Sequence, residues 1–334
     1  MRIARTASIA LVFALAATAC SSGASSGPDG KLVIYSGRSE SLVGPILTEF
    51  SETTGIEIEV KYGETAELAA TLLEEGAKSP ADVFFAQDAG ALGAVEAAGL
   101  FRELPAEILD KVPSDFRSDA GGWVGITGRV RVIGYNPKVT PAALVPTDVD
   151  SLTDPRWKDQ VAWAPTNGSF QAFVTAMRVQ RGDEATQLWL QRMIDNGARS
   201  YPKNDAIAEA VNNEEVDLGL LNHYYPLELA AEVPGAEIKV QFLPNDVGGL
   251  ANAAGVGVLR TSQEQDVLEL VEFLLDPETQ ARFVSDTFEY PLVEGVDGPE
   301  GLPSLSELQP PLIDLNKLDD LEGTLDMLAE VGLL

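Results

Sequence analysis

Between residues 31 and 101 the chain alternates three times between a short apolar run and an amphipathic stretch. KLVIYSG (31–37), IEIEVKYG (56–63) and ADVFFAQ (81–87) are short, rich in β-branched and aromatic residues, and end in turn formers, as strands do. The stretches between and after them carry helical spacing: Leu42, Val43, Ile46, Leu47 and Phe50 share one face, and Gly55 stops that helix. TAELAATLLEEG ends the same way at Gly76, and AGALGAVEAAGLF follows the third strand. Strand, helix, strand, helix, strand, helix calls for a parallel sheet with helices on its faces.

The remainder is longer than one such unit needs. WVGITGRVRVIGYNP (123–137) reads as a long strand that breaks near Gly134. WKDQVAWAPTNGS is a strand running into a turn, and VDLGLLN, IKVQFLP and GVGVL are further strands among helices. The part after residue 30, about 300 residues, is roughly twice a typical domain. Two lobes are therefore expected, with the chain crossing between them at least twice: at the long strand and again near Gly248–Val258. The expected division is residues 31–131 with 251–296 in the first lobe, and 132–250 with 297–334 in the second. Ligands of open α/β sheets bind at the carboxyl ends of strands, which here face each other across a cleft.

The first twenty residues are set apart from this fold. Arg2 and Arg5 precede an apolar run from Ile9 to Ala17, and small residues lead to Cys20. Residues 1–19 read as a secretory signal. Ala17-Thr18-Ala19-Cys20 resembles a bacterial lipoprotein box, with Cys20 the lipidated first residue of the mature chain. SSGASSGPDG (21–30) is then a flexible tether. Cys20 is the sole cysteine, so no intrachain disulfide forms. The expected location is the outer face of the cytoplasmic membrane or the periplasm, with membrane contact through the lipid alone. The chain has 52 acidic and 23 basic side chains, two of the latter in the leader. Such a surface repels nucleic acid and anionic lipid and discourages self-association, so a monomer is expected.

Chemistry concentrates at two strand-to-helix turns. In VAWAPTNGSFQAF, Thr166, Asn167, Gly168 and Ser169 precede a helix whose first amides lack internal partners. Those amides suit a small anion, or Asn167 or Ser169 simply caps the helix; the residues leave both open. In LGLLNHYYPLEL (218–229), Tyr224 and Tyr225 stand as the last residues before a helix, with Pro226 at its first position. Their phenols form a pair of hard oxygen donors for a highly charged cation, or their rings pack the lobe. His223, the sole histidine, points away from them and is structural. Arg131 alternates with Arg129 on the long strand and either faces the cleft or makes a hinge salt bridge. A hydrolase would need a nucleophile and base, yet there is no GxSxG, no HExxH and one histidine. The four tryptophans are core or hinge residues rather than a stacking platform.

LVIYSGRSE, GETAELAATLLEEG-AKSPADVFFAQDAG, TGRVRVIGYNP, WKDQVAWAPTNGSF, YPKNDAI, LLNHYYPL and FEYPL occur in one order along the chain. On these segments the chain resembles the ferric-iron-binding subunit of bacterial ABC uptake systems, a branch of the type II periplasmic solute-binding proteins. The resemblance implies a two-lobed α/β fold, each lobe a mixed sheet flanked by helices, joined by two hinge strands. It implies Fe(III) as cargo, free or chelated, with Tyr224 and Tyr225 as ligands. It implies a synergistic anion such as carbonate or phosphate on Arg129, Asn167, Gly168 and Ser169, with Asn204 and Asn222 nearby. An ABC permease and its ATPase subunit are the implied partners. The chain departs from the family at the first lobe: Ser39 stands at a frequent histidine, Gln87 at a frequent glutamate, and Phe170 at a further tyrosine. Gln87, Asp88 and Glu40 are the candidate substitutes as metal ligands. The alternative functions are a small organic solute or anion in the same fold (phosphonate, thiamine or polyamine) and a lipid-anchored hydrolase.

Overall fold

A computed structural model describes residues 31–262 and 266–334. The signal segment, Cys20 and the tether lie outside the described residues. The first lobe begins with β1 (Lys31–Ser36), α1 (Glu40–Thr54), β2 (Glu57–Tyr62), α2 (Thr65–Glu75), β3 (Val83–Ala86), α3 (Ala89–Ala97) and the single turn α4 (Ala106–Leu109). The chain then enters β4 (Trp123–Tyr135), followed by β5 (Val161–Trp163), α5 (Gly168–Arg181), α6 (Asp183–Asp195), β6 (Arg199–Ser200) and α7 (Asn204–Asn212). Next come β7 (Leu218–Asn222), α8 (Tyr224–Glu232), β8 (Lys239–Gln241) and β9 (Ala251–Val258). The last elements are α9 (Asp266–Leu274), α10 (Pro277–Thr287), β10 (Tyr290–Pro291) and α11 (Leu321–Glu330).

The strands run in the order β2-β1-β3-β9-β4-β7-β5-β6, with β8 and β10 paired to β4. β1 is parallel to β2 and β3, as the helical crossovers require. β4 belongs to both lobes. From Trp123 to Val130 it pairs with β9, and from Arg131 to Tyr135 with β7. All thirteen of its residues are buried, because sheet or helix covers it on each side.

The expected break at Gly134 does not occur. Gly134 pairs with Gly219 in an unbroken strand. A Cβ there would lie 2.8 Å from Leu221 Cδ2 and displace that side chain. The change of partner falls instead between Val130 and Arg131, and a register shift separates Gly125 from Thr127. This is a two-lobed mixed α/β fold of the periplasmic-binding-protein kind, with β4 and β9 as the strands that join the lobes.

Two cores sandwich the first sheet. Leu32, Ile34, Val83, Phe85 and Val256 face α1, α9 and α10 through Val43, Phe50, Val267 and Phe283. On the opposite face Phe84, Leu92 and Val95 join a core that continues into Phe170, Phe173 and Trp189 of the second lobe. Trp163, Phe170, Phe173 and Trp189 meet edge to face there, each contact adding about 0.5–1.5 kcal/mol beyond burial. All four tryptophans are buried, as the sequence implied. After β10 the chain bonds the first lobe through Asn316, to the Asp119 amide and the Arg117 carbonyl, before it reaches α5. Thr324 and Asp320 of this last segment bond Thr175 and Arg178 on α5.

Candidate functional site

β7 delivers the tyrosine pair to the cleft. It ends at Asn222, His223 makes the turn, and α8 begins at Tyr224 itself. The tyrosines are thus the first two residues of the helix, not the last two before it, and Pro226 is its third. The earlier start costs nothing, because an amide in the first turn has no acceptor to lose. Both phenol rings pack in the second-lobe core with Val132, Ile207 and Leu221. The rings lie 4.3 Å apart between centroids, tilted by 31°. Their far ends differ: the Tyr224 hydroxyl is buried with no hydrogen-bond partner, whereas Tyr225 lines the open cleft. Of the two alternatives left open by the residues alone, the packing of both rings is observed, and Tyr225 also lines the cleft.

His223 anchors this helix start. Its Nδ1 accepts from the Val130 amide at 3.2 Å, so Nε2 is the donor to the Phe288 carbonyl at 2.9 Å. Its ring stacks on Tyr290. Burial outweighs these bonds and depresses its pKa to about 3, so the imidazole stays neutral. The structural role expected for it is the one these bonds describe, although its ring also meets that of Tyr224 edge-on.

Buried charge surrounds the phenols. Arg38, just beyond β1, donates from Nη2 to Glu289 Oε2 at 2.5 Å. Arg129 Nη1 stands 3.9 Å from the other oxygen of Glu289. These three side chains are at most 1% exposed. Arg38 Nε and Nη1, all three guanidinium nitrogens of Arg129, and Glu289 Oε1 have no hydrogen-bond partner. Burial works against the Arg38 charge, but Glu289 and both phenols outweigh it and raise its proton affinity. Arg129 is pushed the other way, chiefly by burial. Burial, and then the neighbouring Tyr224, hold the Tyr225 phenol well above its ordinary pKa, with Arg38 opposing. Guanidinium donors this deep without acceptors cost several kcal/mol unless a ligand supplies the negative oxygens.

The second turn forms a connected amide network. Asn167 caps α5, its Oδ1 accepting from the Ser169 amide and hydroxyl and from Asn204 Nδ2. Asn222 donates to the Ser169 hydroxyl, and Asn167 Nδ2 reaches Gln87 Oε1 across the cleft at 3.3 Å. Gly168 is closely approached here: a Cβ would lie 2.9 Å from Asp88 Oδ2 and displace that carboxylate. The capping alternative is therefore realised, and Asn167, Ser169, Asn204 and Asn222 form one network with Gln87, whereas the Arg129 guanidinium makes no hydrogen bond to it. Arg131 does not join them in the open cleft. It donates to the carbonyls of Ser169 and Leu220 and packs over Phe170 and Phe173.

The first-lobe candidates are differently disposed. Gln87 is engaged with Asn167. Asp88 caps α3 through the Ala91 amide, and burial raises its carboxyl to about 6. Glu40 opens α1 on the exposed rim of the cleft. Among the described residues no group of three or more His, Cys, Asp or Glu is placed to hold a metal. Sequence reasoning missed Arg38, Glu289 and Glu228. Glu228 follows the tyrosines on α8, where burial and then the nearby Glu289 push its carboxyl up to about 8. Arg38 had a positional signal, since it stands at the carboxyl end of a strand. Glu289 had none, because its partner lies 251 residues away.

The profile of the bacterial extracellular solute-binding protein family matches residues 78–318. The Fe(3+)-binding periplasmic protein of Serratia marcescens is 32% identical, over 100% of this chain and 99% of its own. Iron uptake protein A1 of Synechocystis is 33% identical over 87% of this chain and 84% of its own. The crystal structure of iron-bound HitA from Pseudomonas aeruginosa superposes with a TM-score of 0.85, at 31% identity, covering 91% of this chain and 99% of that one. Among the described residues no helix is long and apolar enough to cross a membrane.

Proposed function

The chain belongs to the bacterial extracellular solute-binding proteins, and from that premise we propose that it captures Fe(III) in the cleft between its lobes. One observation carries this reading: two adjacent phenols at a helix start, one with a buried hydroxyl that has no partner, near the Arg129 guanidinium, which has none either. Phenolate oxygens are hard donors suited to a hard trivalent ion, and the positive end of α8 favours their negative charge. Tyr224 and Tyr225 bind the metal, and each phenol gives up its proton as it does so. A synergistic oxyanion such as carbonate or phosphate accepts from Arg129 and lies by the Asn167–Ser169 turn, with Asn204 and Asn222 holding that turn in shape. Relatives whose names state iron binding support the cargo.

In this reading residues 31–131 with 251–296 close on residues 132–250 with 297–334 by bending β4 and the approach to β9. The Gln87–Asn167 bond already spans the cleft in this structure. The closed protein hands its cargo to an ABC permease driven by an ATPase subunit, while a lipid on Cys20 keeps it at the membrane. The family is of a non-enzymatic kind. A small organic anion is the second reading, favoured by the same buried arginines.

The test is optical. Protein loaded from ferric nitrilotriacetate should develop a broad visible charge-transfer band, and Tyr224→Phe with Tyr225→Phe should abolish it. An unchanged band in that double variant places the metal elsewhere. No band at all, with thermal stabilisation by a phosphonate instead, favours the organic anion.

A further inference from the structure

The start of α5 belongs to the second lobe but rests on the first. A Cβ placed on Gly168 would lie 2.9 Å from Asp88 Oδ2, 3.3 Å from Thr65 Cβ and 3.5 Å from Gln87 Oε1, all of them first-lobe atoms. Asn167 ties this contact with a hydrogen bond. It and Gln87 are buried, at 5% and 6% exposure. Oδ1 of Asn167 accepts from the Ser169 amide and hydroxyl and from Asn204 Nδ2. A backbone amide can only donate, so the orientation of the Asn167 side chain is fixed, and Nδ2 is the group left to face the first lobe. There it meets Gln87 Oε1 at 3.3 Å.

Gln87 is held from its own side. Its backbone amide donates to Thr65 Oγ1 at 3.2 Å, and that hydroxyl donates to the Gly37 carbonyl at 3.4 Å. Each end of the bond is thus fixed by its own lobe, and separating the lobes has to break it. As a metal donor Gln87 is poor: its amide oxygen is neutral, whereas a hard trivalent ion prefers anionic oxygen. We propose that Gln87 and Asn167 form a latch between the lobes, and that Gln87 is a positioning residue that holds the cleft shut rather than a ligand of the metal. This deepens the iron reading and rests on it for the cargo. The latch itself is a bond between two amides, so it forms with or without cargo and slows the escape of what the cleft holds. Its second-lobe end leads toward the tyrosines: Asn222, the last residue of β7, donates to the Ser169 hydroxyl, which donates to Asn167 Oδ1.

Two measurements test the latch, with melting curves to show that each variant is folded. In X-ray scattering, iron-free Gln87→Leu should have a larger radius of gyration than iron-free wild type. In transfer of iron to an excess of competing chelator, Gln87→Leu should release its iron about fivefold faster, as loss of one neutral hydrogen bond implies, with the visible band unchanged. Asn167→Ser keeps a capping oxygen but cannot span to Gln87, and it should also speed release. In that background Gln87→Leu should add less than about twofold, because the bond is already gone. The proposal is overturned by equal radii, by unchanged release from Gln87→Leu, or by a full additional effect of Gln87→Leu on top of Asn167→Ser. A shifted or weakened band in Gln87→Leu also overturns it, by making Gln87 a ligand. Absence of the band in wild type with every ferric source is a different result: it removes the iron reading, and the scattering of the iron-free proteins then decides the latch alone.

Discussion

The two walls of the cleft are made of opposite materials. The second-lobe wall offers oxygen donors on rings that are themselves core residues, tied to the hinge through His223. The first-lobe wall offers cationic nitrogen, fixed by one buried carboxylate, with its remaining acids capping a helix or standing on the rim. A wall of the first kind can hold a metal ion, and a wall of the second kind can hold what accompanies the metal. The difference teaches that the two lobes need not share the coordination of a cargo. One can ligate while the other recognises charge.

The strongest way to break this comparison is to remove the donors. Tyr224→Phe with Tyr225→Phe should weaken iron binding by about a thousandfold or more, measured by competition with a chelator of known affinity. An effect below tenfold would show that the second-lobe wall is not the ligating one.

Next in size is pH. Burial holds the Tyr225 proton more tightly than usual, so the free protein carries a phenol there at neutral pH and iron must displace its proton. Affinity therefore rises with pH and falls with acid, by about tenfold per pH unit for each proton released, or up to ~100-fold for two. A pH-independent affinity would mean that neither phenol ionises on binding.

A smaller effect is expected at the junction of the walls. Arg129→Lys keeps the charge but loses the planar fork, and should weaken iron binding about tenfold in carbonate buffer. Equal affinity in the variant would remove Arg129 from anion recognition. The smallest effect sharpens the comparison from the other side. Glu40→Gln should change iron affinity by less than about threefold, since the carboxylate is on a solvated rim. A loss of a hundredfold would make the first lobe a ligating wall after all.

Legibility followed distance along the chain. The strand–helix alternation of residues 31–101 was readable because periodicities of two and 3.6 are local properties. The tyrosine pair was readable because its members are adjacent, and the Asn167–Ser169 cap because a cap is a contact two residues long. The start of α8 was misjudged by two residues, since Pro226 fits any position of the first turn equally well. Gly134 reads as a break because glycine in a strand marks either a bend or a crowded neighbour, and only the packing of Leu221 distinguishes them. The roles of Arg38, Arg129 and Glu289 could not be ranked, because a charged residue carries no local sign of whether water reaches it.

By itself, then, the sequence determined the fold class, the order of elements, and which two hydroxyls arrive together at the end of β7. Tertiary structure alone decided which charges are buried and where they point. It carries Glu289 from beyond α10 to Arg38 beside β1, and lays Arg129 of the shared strand next to both. The reason is dielectric. Short-range patterns set backbone geometry whatever lies outside, but the strength of a charge is set by the water removed around it, and that depends on every element packed there.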